Sequence, residues 1–310
     1  MSTTLDAWEI LQTVAQLGGF APAAEKLNRP QSTISYAIGR LQDQLGIRLF
    51  EIQGRKAQLT EVWRALLADA EPHLSCFHQI EQRAPAVQVR AKYEHYQEYL
   101  KRIPAVRAKP VPIAIDEWAY FGGVPNSFKV VPAYAWAFHE MFRHSDIFQM
   151  GAFTFATAMM SSNRTEATLN PTGMLFKMYR DHFGVIPVEV SGNSPQPKPL
   201  YPAGGDQPAV NPGSDTYPLD VSAALSEDRK TLTFAVLNPS DSKQSMKLAV
   251  NGVKLASHGT LWQMAPSSVD AVVAVGKKPE VSVEEYALGP VPDTIEAPPF
   301  SVSIYSYPLQ

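Results

Sequence analysis

Cysteine is almost absent from this chain. Cys76 stands alone in 310 residues, which excludes an internal disulfide framework and fits a reducing compartment. Flanked by Leu74 and Phe77 in a helical pattern, it reads as a small packing residue rather than a reactive thiol. Long apolar runs are missing too: none approaches the ~18 uncharged residues needed to span a bilayer. The opening MSTTLDAWEI has neither the basic start nor the apolar stretch of a secretory signal. A soluble, cytoplasmic protein with no membrane partner is expected, and the sequon at Asn163 is then incidental. Charge of one sign is not in surplus. Lys+Arg number 27 and Asp+Glu 30, a formal net charge of −3, so no global basic field announces a nucleic acid and any such contact must come from a local patch. His139 and His144 flank Glu140 without the i,i+4 spacing of a zinc-binding helix, so no metal is implied, and no cofactor motif is present.

Proline is scarce at first and common later. Pro22 and Pro30 are the only prolines in the first 70 positions, whereas many follow from Pro85 onward. With 45% hydrophobic and 18% charged residues, sizeable cores can form and disorder is not the default. The length suits two or three domains of ~100–200 residues.

The head reads as helical. Ala7, Ile10, Leu11, Val14 and Leu17 recur at helical spacing and stop at Gly18-Gly19. Ala23, Ala24 and Leu27 make a second, short helix, and Asn28-Arg29-Pro30 a turn. A third helix buries Ile34, Ile38, Leu41 and Leu45. Two short helices across a tight turn are a helix-turn-helix. The outer side of the last one carries Gln31, Ser32, Thr33, Ser35, Tyr36 and Arg40, side chains able to meet base edges and phosphates in a major groove. The alternating segment IRLFEIQGRKAQLT, turning at Gly54, predicts a wing that brings Arg48, Arg55 and Lys56 to phosphates. From Val62 to Gln82 a longer helix places Trp63, Leu66, Leu67, Ala70, Leu74 and Phe77 on one stripe, which suits pairing with a second copy.

Through GGFAPAAEKLNRPQSTISYAIGRLQDQLGIRLFE and LTEVWRALL, residues 5–83 resemble the winged helix-turn-helix and linker helix of LysR-type transcriptional regulators. The family tends to have Ala-Gly after Leu-Thr-Glu, where this chain has Val62-Trp63. The resemblance implies binding to double-stranded DNA as a homodimer through residues 62–82. Over residues 1–83, eight Lys/Arg stand against nine Asp/Glu, so binding would depend on where charge is placed.

Beyond residue 85 nothing resembles the two-lobed effector module of such regulators. Val87–Ile103 predicts an amphipathic helix with Tyr93, Tyr96 and Leu100 inward. A loop follows over 104–110, then an apolar strand over 111–115 with Asp116 and Glu117 at its end, where β/α barrels carry catalytic side chains. A helix over 133–142, a buried strand over 146–157 and a helix over 171–184 closed by Gly184 complete an alternating order typical of barrel units. From about 185, TLTFAVLNPS, SMKLAVNG, GTLWQMA, VSVEEYAL and FSVSIYSYPL predict antiparallel strands in a β-sandwich.

The segments PIAIDEWAYF, AFHEMFRHSDIFQMGAFTFAT and PTGMLFKMYRDHFG resemble glycoside hydrolase family 51, the retaining α-L-arabinofuranosidases, over roughly 87–310. The resemblance implies that Glu117, in Asp116-Glu117-Trp118, descends from the nucleophile. Ala119 replaces an Asn common in the family. The family's acid/base glutamate lies in an Asn-Glu pair, and no Asn-Glu dipeptide occurs here; about six of the eight barrel strands have no counterpart. Glu140, in a helix, is a poor replacement.

The expected organisation is multidomain: a winged helix-turn-helix head over 1–60, a linker or dimerisation helix over 61–85, the last units of a β/α barrel over 86–184, and an all-β sandwich over 185–310. Three functions compete. One is a LysR-type DNA-binding regulator fused to a truncated arabinofuranosidase-like region without activity, Glu117 being a vestigial nucleophile. Another is an active arabinofuranosidase acting on arabinose-containing polysaccharides, with an arabinofuranoside as ligand and a second chain completing the barrel. The third is a carbohydrate-binding or structural sandwich behind a DNA-binding head.

Overall fold

The computed structural model describes residues 3–47, 50–53, 56–118, 126–154, 156–194 and 213–310, and the chain divides into two compact units, Met1–Ile80 and Glu81–Gln310. The first contains α1 (Leu5–Leu17), α2 (Phe20–Lys26), α3 (Gln31–Leu45), the antiparallel hairpin β1 (Phe50–Gln53) and β2 (Lys56–Leu59), and the start of α4 (Glu61–Arg102). Thr4 caps α1 by accepting the Ala7 N–H. Gly18 ends it at φ 71°, a left-handed turn that glycine takes without a Cβ clash. Ala7, Ile10, Leu11 and Val14 pack with Ala23, Ala24, Ile34, Ile38 and Leu41 in a single core.

Trp63 and Leu67 belong to this same core, and Leu66 packs against it. The stripe expected to pair two copies is therefore partly used inside one head. The Trp63 ring lies 5.5 Å from Trp8; a fully buried indole is worth more inside its own domain than at a solvent-exposed seam. Trp63→Ala is expected to lower the head's stability by about 3–5 kcal/mol, checked by hydrogen exchange at the backbone amides of the buried Ile34, Ile38 and Leu41. Phe77 and Cys76 have side chains outside the described set.

Two helices were expected over 62–82 and 87–103; α4 is one helix of 42 residues that includes Pro72 and Pro85. Proline inside a helix removes one hydrogen bond and crowds the preceding turn, yet the helix runs through both positions. The loop expected over 104–110 contains α5 (Pro104–Ala108), with proline in the first turn, where its missing N–H costs nothing.

The second unit continues with β3 (Ile113–Trp118), α6 (Val131–Arg143) and β4 (Phe148–Phe153), then the hairpin β5 (Met160–Ser162) and β6 (Ala167–Leu169) and helix α7 (Pro171–His182). Strands β3 and β4 pair in parallel with α6 as the crossover between them. Among the described residues this pair stands alone, and no closed barrel forms. Residues 149–152 of β4 are exposed, against the expectation of a buried strand: among the described residues β4 has one neighbour strand, β3. Val89, Ile115 and Phe148 form a small core between the C-terminal part of α4 and this pair. Asn170 caps α7, its Oδ1 accepting the Gly173 N–H at 3.1 Å. At Gly173 a Cβ would sit 2.2 Å from the Met159 carbonyl oxygen, so only glycine fits this approach.

The remaining strands are β7 (Ile186–Val188), β8 (Asp220–Leu225), β9 (Thr231–Asn238), β10 (Gln244–Lys247), β11 (Gly259–Met264), β12 (Glu284–Leu288), β13 (Thr294–Ala297) and β14 (Ser301–Pro308). Six form an antiparallel sheet in the order β12-β11-β14-β9-β8-β7, and β10 pairs with β13. Alternation divides the sheet's two faces. Ala235, Leu237, Val302 and Ile304 join the core containing α6 and α7, while Phe234, Val236, Tyr305 and Tyr307 pack with Ile295 and Ala297 of β13. The C-terminal region is sheet-rich as expected, although SMKLAVNG contributes only the short β10, and β7, β8 and β13 lie outside the segments read as strands.

Candidate functional site

Helix α3 separates its residues by face. Ile34, Ile38 and Leu41 are buried, whereas Gln31, Ser32, Thr33, Ser35, Tyr36 and Arg40 are all exposed, Tyr36 at 67%. Pro30 begins the helix and its carbonyl accepts the Thr33 and Ile34 N–H groups. That leaves the Gln31 and Ser32 N–H groups of the first turn without an acceptor from a preceding helical turn. Arg29, in the turn, pairs with Asp6 of α1 at 2.8 Å, fixing the approach to α3; nothing in the local pattern marks this contact across 23 positions. Of the expected wing residues, Lys56 lies on β2 with its side chain outside the described set, and Arg48 and Arg55 lie outside the described residues.

Asp116 and Glu117 lie within β3 rather than beyond its end, because the strand continues to Trp118, which pairs with Phe153. Both carboxylates are exposed. Trp118 instead enters an aromatic cluster, its ring 5.2 Å from Phe153, 5.6 Å from Phe138 and 5.9 Å from Tyr134. The conspicuous tryptophan of the corner is thus a packing anchor for the parallel pair.

The most charged buried place in the second unit was not legible in the sequence. His139 of α6 donates from Nδ1 to Asp220 of β8 at 2.7 Å, and its Nε2 accepts from the Tyr179 hydroxyl at 2.6 Å. Arg143 donates to Asp220 at 2.5 Å, to Glu140 at 3.0 Å and to the Val221 carbonyl at 2.9 Å. The Gly213 N–H also donates to Glu140. Among the described residues the second Glu140 oxygen has no hydrogen bond; it lies 3.4 Å from His144 and 3.6 Å from Arg90. His139, Glu140 and Asp220 are fully buried. Burial lowers the His139 pKa despite Asp220, and burial raises that of Tyr179 well above its ordinary value. The His139–Asp220 contact, which has ion-pair geometry, is therefore a hydrogen bond from a neutral imidazole. Burial pushes Asp220 upward, yet Arg143 and the His139 hydrogen bond outweigh it and hold the carboxyl at about 2. This network clamps α6 and α7 to β8. Glu140 is held within it by Arg143 and the Gly213 N–H.

The architecture defines a helix-turn-helix head preceding a helix-and-sheet region. Residues 5–62 match the profile of the bacterial regulatory helix-turn-helix protein, lysR family. An uncharacterized HTH-type transcriptional regulator of Sinorhizobium fredii, y4mQ, is 44% identical over 69 residues, which cover 22% of this chain and 23% of that protein. Among solved structures, the α-L-arabinofuranosidase of Thermotoga maritima superposes with a TM-score of 0.59 at 20% identity, over 73% of this chain and 49% of that one. The family 51 α-L-arabinofuranosidase of Thermotoga petrophila gives 0.56 at 20%, over 71% and 48%. The chain thus carries a LysR-type helix-turn-helix at its N-terminus and shares its fold over most of its length with arabinofuranosidases. It spans about a quarter of the regulator's length and about half that of the arabinofuranosidases.

Proposed function

We propose that this protein is a sequence-specific double-stranded DNA-binding regulator of LysR type, its head joined to a truncated arabinofuranosidase-like region that does not turn over glycosides. The observation that carries the reading is the exposed, hydrogen-bonding face of α3 opposite its buried Ile34, Ile38 and Leu41. In it, Gln31, Ser32, Thr33, Ser35, Tyr36 and Arg40 meet the major groove, while Arg48, Arg55 and Lys56 of the wing contact phosphates. The division follows: head over 1–60, linking helix over 61–85, partial β/α barrel over 86–184, and sandwich over 185–310. A homodimer forms through residues 62–82. Because Trp63 and Leu67 serve the head's core, the dimer seam draws on the helix beyond them.

The test is fluorescence anisotropy with a duplex selected by the full chain. Tyr36→Ala combined with Arg40→Ala is expected to bring affinity for the selected duplex close to that for random duplex, each lost base contact costing about 1–3 kcal/mol. Parent affinity should fall steeply with added salt as counterions are released. Equal discrimination by variant and parent would remove α3 from the interface. Sedimentation of the full chain at micromolar concentration is expected to show a dimer; a monomer there would refute pairing through 62–82.

The arabinofuranosidase fold favours a second reading, an arabinofuranoside-binding or hydrolysing protein with Glu117 as nucleophile and another chain supplying the acid. A Glu117→Gln variant compared with parent on an arabinofuranoside separates that reading from the first.

A further inference from the structure

Among the described residues strand β12 is one edge of the six-stranded sheet, and a cavity of about 240 Å³ opens beside it. Leu261 pairs with Tyr286 and Gln263 with Glu284, so Gln263, Glu284 and Tyr286 project to one face. Trp262 belongs to the other face, where its indole N–H donates to Glu285. Loop residues Ser267, Glu280 and Ser282 form the walls.

We infer that this edge pocket binds one ring of a neutral saccharide. Its polar groups are held in place by the protein. Glu280 accepts the Val272 N–H at 3.0 Å, Glu284 accepts the Ser282 hydroxyl, and Gln263 donates to Ser303 at 2.9 Å. A carboxylate has about four acceptor sites, so each oriented glutamate still accepts from neighbouring sugar hydroxyls. Tyr286 is 47% exposed, and the negative face of its ring suits the C–H face of a sugar. The charge disfavours anionic ligands. Two carboxylates repel phosphates and uronates, and among the described residues no three His, Cys, Asp or Glu side chains converge to hold a metal ion. The size argues the same way: the cavity falls below the ~300 Å³ at which pockets for drug-sized molecules begin, and a sheet edge lets adjoining sugar units leave into solvent. The site is independent of the DNA-binding reading and of Glu117, which lies on β3.

Saturation-transfer NMR and calorimetry of the full chain with neutral α-1,5-arabinotriose test the inference, trigalacturonate serving as the acidic control. Saturable binding of arabinotriose is expected, with none of trigalacturonate. Tyr286→Ala is expected to weaken it by about tenfold or more, the loss of one apolar contact surface, while Tyr286→Phe and Glu117→Gln bind like the parent. Ser267→Trp, which fills the cavity from its wall, should abolish binding, with the circular dichroism spectrum unchanged. The inference is overturned if arabinotriose does not bind up to about 10 mM, if Tyr286→Ala or Ser267→Trp binds like the parent, if Glu117→Gln removes binding, or if trigalacturonate binds equally well.

Discussion

Incubated with an aryl α-L-arabinofuranoside, the full chain is expected to release no aglycone above the spontaneous rate. Retaining hydrolysis needs a nucleophile and an acid/base carboxyl ~5–5.5 Å apart. Glu117 is exposed on a strand with one neighbour, and among the described residues no second carboxylate faces it across a sugar-sized cleft. Glu140 cannot serve as its acid, being buried and bound to Arg143 and the Gly213 N–H. Missing acid assistance costs about 10²–10⁴-fold, and missing orientation costs more, since a well-placed group acts at an effective ~10⁵–10⁸ M. A dinitrophenyl arabinofuranoside, whose leaving group needs little protonation, tests the remaining nucleophile directly. No covalent glycosyl adduct on Glu117 is expected by mass spectrometry. Turnover that disappears in Glu117→Gln would show that another carboxylate, or another chain, completes the site.

Asp220→Ala is expected to destabilise the second unit by about 3–5 kcal/mol, the cost of leaving a buried charge without its partner. Arg143 would lose its 2.5 Å contact, keeping Glu140 and the Val221 carbonyl, and His139 would lose its acceptor inside the fully buried site. Replacing both Asp220 and Arg143 by apolar residues of similar size should cost more than Asp220→Ala alone, because the fully buried Glu140 then loses its own partner Arg143, which a double-mutant comparison by urea unfolding measures. Acid should loosen the same clamp. Asp220 titrates at about 2 in the folded protein against an ordinary 3.8, so its contribution, ~2 kcal/mol, is complete above about pH 4 and is lost as pH falls through the folded value. His139 is also depressed, from 6.5; the unfolded chain binds its proton first, so stability begins to decline below that value. Both slopes have the same sign. A urea midpoint that does not fall between neutral pH and pH 3 would contradict the buried network.

The helical head was legible because its information is local. Ile10, Leu11 and Val14, then Ile34, Ile38 and Leu41, repeat at helical spacing and are buried in the structure, and Asn28-Arg29-Pro30 turns where the chain must turn. The polar side of α3 followed from the same arithmetic, since residues between buried positions point outward. Legibility declined where one residue could satisfy two demands. Trp63 and Leu67 lie on a stripe that fits either a partner helix or the head's own core, and periodicity alone cannot choose between them. Strand ends were misplaced for a related reason: β3 includes Asp116 and Glu117 because Trp118 is held by Phe153 and Phe138, contacts supplied by residues far along the chain.

What the sequence by itself determined was the order of textures: an apolar helical period, a turn, a polar recognition face, then an acid corner and short alternating runs. Those depend on neighbours within a few residues, where backbone geometry dictates which side chains share a face. The tertiary structure alone decided the partners of charge and aromatic groups. His139 meets Asp220 across 81 positions, and Gln263, Glu284 and Tyr286 meet at one edge because β11 and β12 pair in one register. It also decided that Glu117 is open to water rather than enclosed. Long-range pairing is set by which surfaces can be buried together, and a carboxylate's chemistry depends on those surfaces more than on the residues beside it.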